Sequence, residues 1–106
     1  MSSDDIAPTE TVTLPDCAGR TRTRLFEGEP RTVRLALEGG ETIPAHRHPD
    51  RRIVFHVLEG EMTVTVSGTE HRLEAGDLCR FDGDQEIEPA ALEDSIALLV
   101  LAPALE

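Results

Sequence analysis

Two histidines one residue apart, His46 and His48 in the run IPAHRHP, are the side chains best spaced for shared chemistry. On an extended segment, residues i and i+2 project to the same side, so both imidazoles reach toward one point. Imidazole nitrogen is a ligand for Zn, Fe, Ni, Cu and Mn, so the pair suggests a divalent metal. A pair alone binds weakly, and further donors must come from elsewhere in the chain. His71 shares parity with Leu73, which reads as inward, and is the candidate third ligand. Glu86 and Glu88, beside Gln85, are candidate oxygen donors. There is no GxSxG turn, P-loop, GxGxxG or CxxC, and no nucleophile–base pairing stands out.

The arginines offer different chemistry. Arg47, Arg51 and Arg52 crowd one loop beside the His pair. Arg80 shares parity with Leu78, which reads as internal. A guanidinium aimed into a protein interior is costly unless paired, and its fork suits a carboxylate, internal or on a ligand. Cys79, next to Arg80, is either a reactive thiol or a small apolar filler, and Cys17 reads as filler or surface.

Several function classes fall to composition. The chain has 106 residues, enough for one domain with one core. Hydrophobic residues make up 39% and aromatics only 3%, so that core is aliphatic. The net charge of −11 repels phosphate backbones and anionic lipid, so neither nucleic acid nor membrane is an expected partner. No apolar run approaches about 18 residues, and the acidic start does not read as a signal peptide. The expectation is a cytoplasmic protein with reduced cysteines. All ten basic residues are arginine, with no lysine. This composition resembles that of halophilic proteins, although a GC-rich genome would also favour Arg over Lys.

The elements that position these residues are short. Residues 1–11 are polar and acidic and are expected to fray, leaving 12–106 as a single domain. Period-2 segments at 12–14, 20–26, 31–37, 52–58, 61–67, 69–73, 77–81 and 95–101 predict strands. Gly, Pro and Asp clusters separate them, and no sustained 3.6-residue period predicts a helix. The clearest hairpin is MTVTVSGTEHRL, turning at Ser67-Gly68. The fold class is therefore all-β.

Two longer runs narrow this further. GETIPAHRHPDRRIVFHVLEGEMTV begins at Gly40, and HRLEAGDLCRFDGD begins at His71. They resemble the cupins, specifically the small single-domain type. The family's first motif is G(X)5HXH(X)3–4E(X)6G. Gly40, His46, His48 and Gly60 match it, the last within VLEGE. Ala75-Gly76-Asp77 matches the start of the second motif, and Ala91 to Ala102 resembles the closing strands. The resemblance covers about residues 31–103.

The departures fall on the ligands. Ile53 stands where the family has its Glu, and Ile87 where it has its last His. Asp82 and Asp84 replace the Pro and Gly of the second motif. His56, three residues from Ile53, should point outside the barrel.

The resemblance implies an RmlC-like double-stranded β-helix, or jelly-roll barrel, and a homodimer, with residues 12–26 as the segment for strand exchange. It also implies a small-molecule ligand in the cavity, lined by Ile53, Phe55, Ile87 and Arg80. One divalent ion (Zn, Fe, Ni or Mn) is expected to be weakly bound or absent, because only His46 and His48 remain of the ligand set. The alternative is a metal-dependent dioxygenase- or isomerase-type enzyme that completes the pair with non-standard ligands such as His71.

Overall fold

The structure is a computed structural model that describes residues 6, 8–14 and 21–104. Eight strands follow one another: β1 (Arg22–Arg24), β2 (Arg31–Leu37), β3 (Arg51–Glu59), β4 (Glu61–Val66), β5 (Thr69–Glu74), β6 (Leu78–Asp82), β7 (Ile87–Ala91) and β8 (Ser95–Pro103). They form a five-stranded sheet in the order β1-β2-β8-β3-β6 and a three-stranded sheet in the order β5-β4-β7. Every pairing is antiparallel. The two sheets enclose the core, and the architecture is the double-stranded β-helix expected.

Alternation decides which side chains are inside. On β3, Ile53, Phe55 and Val57 are buried, while Val54, His56 and Leu58 between them are only partly covered. The register carries that face across the sheet: Phe55 lies opposite Leu99, and Leu99 opposite Val33. Met62, Val64, Leu73, Ile87 and Ala91 supply the facing wall. With few aromatic rings, the core is filled largely by branched aliphatic side chains, which fit a pleated surface.

The turns use the residues that their geometry needs. Ser67 and Gly68 both have positive φ, 49° and 82°, as a two-residue hairpin turn requires, and Val66 pairs with Thr69 across it. Gly60, in VLEGE, has φ 86°, and a Cβ there would lie 2.3 Å from the Asp94 carbonyl oxygen. Only glycine allows the β3–β4 turn to close against residues 94–95.

Two segments differ from the reading of the sequence. Residues 12–14 form no strand, and 15–20, including Cys17, lie outside the described residues. The expected strand at 20–26 is therefore seen as β1 alone. Strand β7 was not anticipated, because Pro89 at its centre argues against a central strand. The hydrogen bonds show how Pro89 is accommodated. Glu86 O and Leu92 N bond toward β4, whereas Ile87 N and Ala91 N donate toward residues 41–46. The missing N–H of Pro89 thus faces the 41–46 side, where pairing is reduced to the bridges Thr42↔Ala90 and His46↔Ile87.

Candidate functional site

The His pair sits at the end of the 41–46 segment. His46 N donates to Ile87 O at 3.0 Å, and Ile87 N donates to His46 O at 2.8 Å. His46 Nδ1 lies 2.8 Å from the Pro44 carbonyl oxygen. That oxygen has no proton, so Nδ1 donates and Nε2 is left as an acceptor. His48 Nε2 stands 3.1 Å from this nitrogen and donates to it. The rings meet edge to face, with centroids 4.8 Å apart and planes at 89°. The i, i+2 spacing therefore does bring both imidazoles to one point.

The β6–β7 turn holds His48 in place. His48 N donates to Gly83 O at 2.8 Å, and Gly83 N donates to Arg51 O at 2.8 Å. A Cβ on Gly83 would lie 2.4 Å from His48 O, so glycine is required by this approach. Asp84 adds two contacts: its side chain accepts from Asp50 N at 3.1 Å, and its carbonyl from Arg47 at 3.0 Å. Asp82 in turn accepts from Asp84 N at 2.9 Å. The two aspartates that break the second motif thus stitch the histidine loop to the barrel.

A narrow pocket runs inward from the pair. Arg22, Val33, Leu35, Ile43, Phe55 and Ile87 contribute to its walls along with the two histidines, and it holds about 20 Å³ of free space. Cationic side chains act on His48. His48 is pushed down to about 4, first by burial, then by His46 and by Arg22, Arg31 and Arg51. Arg51 donates to Glu29 at 2.6 Å and to the Leu101 carbonyl at 2.9 Å. That contact with Arg51 holds the Glu29 carboxyl below its usual range.

This donor set fits a firmly held divalent metal poorly. Two nitrogens 3.1 Å apart subtend about 95° at an ion about 2.1 Å from each, which suits neighbouring ligands. Yet no group of three or more His, Cys, Asp or Glu side chains converges there among the described residues. The neighbour across from His46 is Ile87, which has no lone pair, and the surrounding guanidinium charges oppose a dication.

The other expected site residues are distributed unevenly. Phe55 and Ile87 line the pocket, whereas Ile53 is 0% exposed in the core and is not part of its lining. Arg80 does not face inward. Phe55 pairs with Cys79 and Ile53 with Phe81, so Cys79 and Phe81 take the inner face, leaving Leu78 60% exposed and Arg80 in solvent. Cys79 packs against the core, and burial pushes its thiol up, as for an inert filler. His71 has the inward parity of Leu73 but is exposed on the edge strand β5 and does not reach the His pair's pocket. Glu86 and Glu88 are exposed. His56 lies on the outer face, opposite Leu98 and Leu78.

Two residues that matter were missed. Arg22 and Arg31 both act on His48. Arg31 shares parity with Val33 and Leu35, and Arg22 pairs with Leu35. The signal was the alternation on β2, which puts Arg31 on the buried face.

A family model described as "Cupin domain" matches residues 33–102. No curated protein matches the chain. Among solved structures, the chain is similar to KdgF from a Halomonas species: TM-score 0.70, 22% identity, 80% of this chain and 79% of that one. An RmlC-like cupin from Shewanella frigidimarina gives TM-score 0.69, 28% identity, and coverage of 80% and 77%. The Schizosaccharomyces pombe Cnp3 cupin domain gives TM-score 0.77 at 18% identity, covering 88% and 73%. No helix of the described residues is long and apolar enough to cross a membrane.

Proposed function

Given that the chain belongs to the cupin domain family, we propose that its barrel binds a small molecule between the sheets without a firmly held metal. One observation carries this reading. Ile87 is the hydrogen-bonded neighbour of His46, where a third donor would need to stand. The polar wall of the pocket is then the His pair and Arg22, set against Val33, Leu35, Phe55 and Ile87. Few convergent polar groups on an apolar wall is the usual make-up of a small-ligand site. Fixed tautomers suit recognition: His46 Nδ1 is committed to Pro44, and the pair to each other. The fold hosts many chemistries, so the site and not the fold carries the argument.

The alternative is a metal-dependent enzyme, and the 3.1 Å separation of the two Nε2 atoms favours it. Elemental analysis of protein purified without a metal column, with calorimetry for Zn²⁺ and Ni²⁺, separates the two. Sub-stoichiometric metal and weak titration support the binding barrel. One ion per chain held below micromolar concentration, and lost in His46→Ala, overturns it.

A further inference from the structure

The five-stranded sheet ends at β6, and no strand among the described residues pairs with its outer edge. The backbone bonds fix which groups face that edge. Gly83 N donates to Arg51 O and Val57 N to Asp77 O, so the odd-numbered residues of β6 bond toward β3. Leu78, Arg80 and Asp82 therefore turn their N–H and C=O groups outward. Of these groups, only the Asp82 carbonyl has a partner, accepting long bonds of 3.3 Å from Gln85 N and Nε2. The side chains of Arg80 and Asp82 are exposed, and Arg80 makes no ion pair among the described residues. Leu78, beside them, is 60% exposed. An open edge of this kind is a template for another strand.

We infer that β6 is the contact edge for a second copy of this chain, paired antiparallel about a two-fold axis at Phe81. In that register Arg80 lies directly opposite the partner's Asp82, and Asp82 opposite the partner's Arg80. Each such pair exchanges both backbone bonds and sets opposite charges face to face, so the contact is self-complementary. Centring the axis on Arg80 instead would oppose two guanidinium groups, and centring it on Cys79 would leave Asp82 unmatched. The other edges suit a second copy less well. β1 turns Arg22 and Arg24 outward, two like charges. β5 turns Glu70, Arg72 and Glu74 outward, and Arg72 is already held by Glu61. The open side of β7 faces residues 41–46. In a chain of net charge −11 most of the surface repels a copy, whereas Arg80 and Asp82 together are neutral. The overlap is short, so the dimer is weak and transient.

The test uses the full chain at constant ionic strength. Sedimentation equilibrium from about 10 µM to about 1 mM should show a monomer–dimer equilibrium. Amide hydrogen exchange over the same range should slow at Arg80 and Asp82 as concentration rises. Arg80→Asp and Asp82→Arg should each weaken association about tenfold or more, because each sets like charges opposite one another twice. Asp82→Arg also makes the chain less negative, so general self-repulsion alone predicts the opposite sign. The double variant Arg80→Asp/Asp82→Arg should recover the wild-type affinity to within about threefold. The exchange measurement needs no variant, so it decides even if a variant does not fold. A chain that stays monomeric up to about 1 mM, or one that associates with the Arg80 and Asp82 amides unprotected, overturns the inference. Single variants that associate like wild type, or a double variant no better than the single ones, overturn it too.

Discussion

His46 and Ile87 exchange both backbone hydrogen bonds, at 3.0 and 2.8 Å, and so stand directly opposite each other across the seam of the small sheet. A directly opposed side chain has its Cβ about 5.5 Å away, within reach of a shared ion. Ile87→His should therefore raise affinity for Zn²⁺ or Ni²⁺ roughly 100-fold over a weak wild type. Calorimetry checks it, and an unchanged affinity would show that position 87 does not converge with the pair. Adding Ile53→Glu should not help, since Ile53 is wholly buried outside the pocket lining and a carboxylate there is desolvated.

His48 gives a pH dependence with a definite sign. Its folded value is about 4 against an ordinary 6.5. Between the two, the unfolded chain binds a proton that the folded chain refuses. This contribution is intact above about pH 6.5 and is lost as pH falls toward about 4. Wild type should lose more stability between about pH 7 and pH 5 than His48→Asn does. Denaturant melts at both pH values measure it, and equal losses would contradict the assignment.

Gly83→Ala should destabilise the protein by about 1–3 kcal/mol, because its Cβ meets backbone and not a flexible side-chain tip. The same variant should shift the imidazole resonances of His48. Thermal unfolding together with NMR checks both, and a neutral substitution would mean that the turn yields freely.

Salt is the fourth test. A net charge of −11 without lysine implies self-repulsion that ions screen. The melting temperature should rise from about 0.1 M to about 2 M NaCl if the surface is adapted to a saline medium. A flat or falling curve would favour a plain Arg bias.

Much of this architecture is legible in residue order. The strand at 31–37 is found at those bounds, and Ser67-Gly68 turns the hairpin as read. The His pair converges as i, i+2 parity predicts, with the distant Gly83 turn supporting the same placement of His48. Where distant pairing sets the outcome, the reading failed. Arg80 was placed by assuming that Leu78 is inside, but the register with β3 gives the interior to Cys79 and Phe81. His71 has the right parity, and only the edge position of β5 keeps it from the site. β7 was hidden by Pro89, whose missing donor faces a side that needs few. Arg31 shares the parity of Val33 and Leu35, so the alternation of β2 already places it on their face.

The sparse pairing of residues 41–46 has a dynamic consequence. Segment 41–46 is joined to β7 by two bridges and a few backbone bonds, whereas β4 pairs with β5 over six consecutive residues. Local opening follows the weakest ladder. Amide hydrogens of Ile43, His46 and Ile87 should therefore exchange well before those in the middle of β4, through motions that leave the larger sheet intact. With so little free space in the pocket, a ligand that fills it should register as slower exchange along this seam.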